Sequence, residues 1–207
     1  MRSIASGSIS ISFSGIFAMA RHVNLSFEEH PAEAHLIGIM LAGYGELEFE
    51  LSSLVTVALG GNPVETTQGI KVLYRLRSEG QRLDVADAVI RPVCERNDLL
   101  KQYNATHEGM KWCKKVRNQY AHSHYFHQDD MLFFFNLEDS AKKLEGSADI
   151  KMQPIDVPLL KKQVEFFHYT TRWLLYLIAE LQVRTGKQSS HARQEQKRLQ
   201  PPPLHNP

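Results

Sequence analysis

The sequence predicts an all-α bundle of four to five helices with a small β-hairpin inserted before the last helix. Three observations predict it. Apolar residues recur at helical spacing over long stretches near both ends of the chain, Gly and Pro clusters punctuate the segments between, and one aromatic run too short for a helix precedes the final segment. Residues 35 to 59 read as a long, largely buried helix, with Leu36, Ile37, Met40, Leu41, Tyr44, Leu47, Leu51, Leu54, Val55 and Leu59 spread over most of its faces. Gly60-Gly61-Asn62-Pro63 ends it and opens a second helix, since Pro63 has no donor to waste in a first turn. That helix runs to about Ser78. Gly80 precedes a shorter amphipathic segment, Leu83 to Glu95, which Pro92 bends or ends, and Asn97 or Asp98 can cap the next helix.

The next helix spans roughly Leu99 to Tyr125, with room for a break near Gly109. His127 to Asp130 reads as a turn, and MLFFFNLED from Met131 reads as a strand that pairs with residues 149 to 155, where Pro154 confines the second strand to an edge or an end. Asp156 and Pro158 start the last helix, Gly186 stops it, and its wide apolar stripe is expected to pack on the first helix. The helical domain is therefore expected over residues 23 to 186. Residues 1 to 22 read as a disordered extension, although Arg2 and Ala18-Met19-Ala20 superficially resemble a signal peptide with its cleavage site. Residues 187 to 207 lose their apolar content and read as a disordered tail.

Composition narrows the function classes. With 207 residues, 43% of them hydrophobic, the chain can build one core of ordinary size. Its 24 basic and 23 acidic residues leave a net charge of +1, so no global field draws it to nucleic acid or membrane, and any such contact must be local. Cys94 and Cys113 form no C-x-x-C pair and join no Cys/His pattern, which argues against a disulfide framework or structural zinc and fits a reducing, cytoplasmic compartment. Both read as buried free thiols. No run approaches the roughly 18 apolar residues of a membrane span.

The segment KKVRNQYAHSHYFH, residues 114 to 127, concentrates the chemistry. Arg117 supplies a permanent multidentate donor for phosphate oxygens, and His122 a proton carrier that works near pH 7. A phosphate holder beside a proton carrier is what metal-free RNA cleavage needs: the ribose 2′-hydroxyl attacks phosphorus, the 5′-oxygen leaves with a proton, and the guanidinium steadies the phosphorane. On a straight helix Asn118 and His122 share a face, whereas Arg117 and His122 diverge by roughly 140°. Two remedies exist: a helix that loosens near its end, or a second protomer across a two-fold axis. His124 competes with His122, because seven residues return it to within roughly 20° of the face of Arg117. Lys111, Lys114 and Lys115 add local positive charge along which an RNA backbone could run. His122, His124 and His127 match no standard metal spacing, so neither metal nor cofactor is expected. Trp112, Trp173 and Phe133 to Phe135 read as core or interface packing, and Glu46, Glu48 and Glu50 as a solvated stripe.

Arg117-Asn118-Gln-Tyr-Ala-His122, an R-N-x-x-x-H motif, resembles the motif of HEPN-domain proteins, in which four to six residues separate the arginine from the histidine and a polar residue follows the arginine. The resemblance implies an all-α bundle from about residue 35 to 185 with the motif near the end of the penultimate helix. It also implies a metal-independent endoribonuclease of toxin, abortive-infection or RNA-surveillance type, acting as a homodimer with the motif at the shared cleft. Arg117, Asn118 and His122 would then be site residues, His124 a further candidate, and Glu46 or Glu48 the acid of the family's first helix. RNA, a second copy and an antitoxin or regulatory protein are the implied partners. The hairpin departs from the minimal bundle, and a noncatalytic module that binds RNA, a nucleotide or a protein through the same cleft is the competing reading.

Overall fold

The computed structural model describes residues 23–136, 152–189, 195 and 199–205. The expectation for residues 1 to 22 lies outside them, as do residues 137 to 151 of the expected hairpin, whose described ends pair as expected, Phe133 with Pro154 and Phe134 with Gln153. In chain order the elements are α1 (Val23–Glu29), α2 (Pro31–Ala58), a 3-10 turn (Pro63–Glu65), α3 (Thr67–Leu73), α4 (Glu79–Arg96), α5 (Leu100–Ala121), β1 (Ser123–Gln128), β2 (Met131–Asn136), β3 (Gln153–Pro154) and α6 (Val157–Arg184). The chain is mainly helical, as expected, and the small β insertion before the last helix is a three-stranded antiparallel sheet, ordered β1-β2-β3, rather than a two-stranded hairpin. Among the described residues, no helix is long and apolar enough to cross a membrane.

The central element is α2, which packs most extensively on α6 and also touches α3, α4 and α5. Neighbours cover most of its sides, an exposed stripe remains at His35, Gly38, Ala42, Glu46 and Phe49, and residues 51 to 57 are buried without interruption. Ser52, Ser53 and Thr56 survive in that run because each hydroxyl donates to the carbonyl one turn back, on Glu48, Phe49 and Ser52. The apolar stripe of α6 contributes Leu160, Leu174, Leu177 and Leu181, all fully buried. Gly186 ends α6 at φ +73°, where its own N–H reaches Val183 and the N–H of Lys187 reaches Gln182, the paired bonds of a left-handed helix stop. Cys94 and Cys113 are free and buried, and burial pushes each thiol up to about 12.

Several boundaries differ from the sequence expectation. Residues 63 to 78 form a 3-10 turn and the short α3 rather than one helix. Helix α4 continues through Pro92, which sits on an exposed face, and α5 runs unbroken through Gly109, which lies against Thr170 of α6. Neither Asn97 nor Asp98 caps α5: Asn97 donates back to the carbonyl of Val93, Asp98 takes the left-handed conformation at φ 53°, and Leu99 holds the cap position.

The most consequential correction is at the end of α5. Ser123, His124 and Tyr125, expected to be helical, belong to β1. The helix stops because side chains of the sheet take its last carbonyls. Asn136 donates to Asn118 and Gln119, Ser123 donates to Gln119, and the hydroxyl of Tyr125 donates to Tyr120 at 2.7 Å. The turn closes on Asp129 and Asp130, at φ 51° and 57°, so a two-residue hairpin joins β1 to β2. The run Phe133 to Phe135 splits by strand alternation. Phe134 is buried against Tyr120 and Tyr125, whereas Phe133 and Phe135 are half-buried and meet Phe126 across the ladder.

The expected disordered tail does not extend to residues 199 to 205, which lie against α5 and α6. Trp112, Gln163 and Gln119 donate to the carbonyls of Pro202, Pro203 and His205, and the His205 side chain is buried. Composition suggests disorder, but proline carbonyls accept hydrogen bonds as readily as any others.

A polar network ties α4 to α5. Asp87 accepts from Arg91 and from the Tyr103 hydroxyl, with His107 3.7 Å away. Burial alone would raise the Asp87 carboxyl, but the bonds from Arg91 and Tyr103 and the charge of His107 hold it below the ordinary carboxylate value, while burial pushes His107 below the ordinary imidazole value. In both cases the unfolded chain binds its proton first. Stability is therefore full above about 6.5, falls as the pH drops below the unfolded imidazole value, and falls again below about 3.9 as Asp87 is titrated. Urea unfolding midpoints between pH 8 and 3 should decline in those two steps, and His107→Gln should remove part of the first.

Candidate functional site

The side chain of Arg117, 29% exposed, projects from the last full turns of α5 toward α4. Its Nη1 lies 3.1 Å from Oε1 of Glu79 and donates to Oδ1 of Asn118 at 3.0 Å, and the guanidinium carbon sits 5.9 Å from the Tyr44 ring centre. Glu79 stands in the first turn of α4, where the helix dipole favours a carboxylate. Both polar contacts use Nη1 of the fork.

Beside this pair lies a second, more deeply buried one. Glu48 of α2 accepts from Nε of Arg82 at 2.8 Å, their side chains 14% and 13% exposed, and Arg82 also bonds the carbonyl of Leu76 and lies over the Tyr74 ring. Glu48 is thus no part of a solvated stripe, although Glu46 is exposed. Glu48 is set against Arg82, and the carboxylate on Arg117 comes from Glu79. Tyr44 lies between the pairs, its buried hydroxyl without a hydrogen-bond partner among the described residues. Burial, then the charges of Glu48 and Glu79, push that hydroxyl well above its ordinary value, so Tyr44 stays neutral.

His122 is exposed and occupies the C-cap of α5 at φ −106° and ψ 25°, its N–H reaching Asn118 at 3.3 Å. The helix therefore releases after His122, whose own N–H still makes the helical bond, so the straight-helix divergence from Arg117 still applies to it and no contact joins the two side chains among the described residues. The helical-face argument for His124 fails beyond that point: His124 sits on β1 opposite Phe135, ring centres 5.2 Å apart. His127 is turned to α1, 2.9 Å from His30 and 3.2 Å from Glu29. Among the described residues, no three His, Cys, Asp or Glu side chains are grouped to hold a metal ion.

The lysines separate. Lys111 and Lys115 border a cavity of about 290 Å³ with Trp112, Phe166 and the segment from Leu199, and Lys111 pairs with Glu108 at 3.0 Å. Lys114 lies near Gly80 at the start of α4, on the side of Arg117 and Glu79. Sequence reasoning missed Glu79, Arg82 and Tyr44, and the placement of Glu79 in a helix's first turn was the one local hint to any of them. Comparisons of the chain with protein-family models, with curated proteins and with solved structures found no match.

Proposed function

We propose that this chain is a metal-independent endoribonuclease of the HEPN type. The observation that supports the reading is the end of α5, where a half-buried guanidinium, oriented by Glu79 and Asn118, stands five residues before an exposed imidazole at the helix cap. Arg117 holds the scissile phosphate through its remaining N–H groups and stabilises the phosphorane. Asn118 fixes the fork. His122 moves the proton, either from the 2′-hydroxyl or to the departing 5′-oxygen. The products are a 2′,3′-cyclic phosphate and a 5′-hydroxyl. The active unit is a homodimer in which two α5 ends offer two arginines and two histidines to one cleft.

Purified chain incubated with mixed RNA in EDTA should cleave it and leave cyclic-phosphate ends. Chelator-sensitive cleavage, or products carrying a 3′-hydroxyl, would retire the mechanism, since it uses the substrate's own 2′-oxygen. A noncatalytic binding module is the second reading, favoured by the ion pair that already occupies part of Arg117. Under it, Arg117→Ala weakens RNA binding while the wild-type chain turns over no RNA at any concentration.

A further inference from the structure

Prolines 201 to 203 carry no N–H, so their segment can join no helix or sheet ladder on the donor side, and its carbonyls must find donors elsewhere. They find them on side chains. Nε1 of Trp112 donates to Pro202 at 3.1 Å, Nε2 of Gln163 to Pro203 at 3.1 Å and Nε2 of Gln119 to His205 at 2.6 Å. An indole and two amides meeting a proline-rich backbone is the chemistry of polyproline recognition.

The hydrogen bonds also fix the protonation of His205. The Pro203 carbonyl can only accept, so Gln163 turns its amide nitrogen there and its oxygen to Tyr120, 2.6 Å away. The single hydroxyl proton of Tyr120 goes to that oxygen. Tyr120 must then accept from Nδ1–H of His205 at 2.7 Å. On the other side of the ring, the Asp156 amide N–H donates to Nε2 at 3.2 Å, which requires an unprotonated nitrogen. Every contact thus calls for the neutral Nδ1–H tautomer, and a second proton would set two N–H groups against each other. The groups facing the ring are Tyr120 of α5, Phe134 of β2 and Asp156 at the cap of α6. The Asp156 charge favours the imidazolium, but burial outweighs it and holds His205 below its ordinary value. The seat is tight at 202 to 205 and loose at 199 to 201, where the cavity beside Trp112 lies.

We propose that the groove between α5 and α6 is a binding site for a proline-rich peptide that ends in a neutral histidine, and that residues 199 to 205 occupy it in cis as a strap released by protonation of His205. A segment tethered to its own chain within reach of the groove has an effective concentration on the order of millimolar, so a groove that binds the free peptide at about 100 µM is roughly nine-tenths filled, and added peptide binds the wild type about tenfold more weakly than a chain with an empty groove.

The test uses the full chain and a fluorescent peptide of residues 199 to 207. At pH 7.5 the peptide should bind full-length His205→Ala about tenfold more tightly than wild type. Affinity for the His205→Ala chain should fall as the pH drops below the free imidazole value near 6.5, by at most about tenfold per pH unit. The same peptide with its own His205→Ala change should bind weakly and without pH dependence. Trp112→Phe, which keeps the ring packing but loses the indole N–H, should weaken binding severalfold. In the wild type, hydrogen exchange at the Asp156 amide should accelerate as the pH falls from 7 to 5.5, once corrected for intrinsic exchange. Equal binding to both chains, binding to neither, or affinity flat between pH 7.5 and 5.5 would overturn the proposal.

Discussion

Replacing His122 with alanine is expected to lower the RNA cleavage rate by roughly 10²- to 10⁴-fold, the usual contribution of a positioned proton carrier. His122 is exposed at the helix cap, and a urea unfolding midpoint measured beside the cleavage rate separates lost chemistry from lost stability. Arg117→Ala should lose as much activity, with a stability cost, since it leaves Glu79 without its partner. The two variants mixed test the shared cleft. Heterodimers regain one arginine and one histidine, so subunit exchange should restore part of the activity if the pair is drawn from two chains. Cleavage by His122→Ala at the wild-type rate would falsify the assignment.

The second large effect concerns stability. Gly69→Ala, which in an open helix would add about 1 kcal/mol of helical propensity, is expected instead to destabilise the chain by roughly 3 kcal/mol. Gly69 lies where α3 crosses α2: an added Cβ would sit 1.9 Å from the carbonyl oxygen of Ser52 and 2.8 Å from Oγ1 of Thr56. Those atoms cannot give way cheaply, because Ser52 belongs to the buried run of α2 and its carbonyl accepts from Thr56, which in turn accepts from the Gly69 N–H at 2.9 Å. The midpoint of urea unfolding checks the sign as well as the size. An unchanged or raised midpoint would mean that α3 moves freely against α2.

How far the sequence carries the fold depends on whether a residue's partner is near in the chain. The buried faces of α2 and α6 repeat every turn, and Gly186 has its stop signal within the helix it ends. These features were legible. The switch from helix to strand at Ser123 was not, because it is decided by Asn136 taking carbonyls of Asn118 and Gln119 from another strand. The docking of 199 to 205 was hidden for the same reason: its donors Trp112, Gln119 and Gln163 belong to helices far up the chain. In the site, Arg117 and Asn118 are neighbours and could be read together. Glu79, which orients the arginine, reaches it only through the packing of α4 against α5.

The packing of α2 on α6 has a consequence for biosynthesis. The most extensive helix pair joins segments separated by roughly a hundred residues, so the ribosome must deliver the chain as far as α6 before the central contact can close. Until then α2, apolar around most of its circumference, has only α3, α4 and α5 to shield it, and its α6-facing surface is the segment of the nascent chain most exposed to chaperones and to self-association.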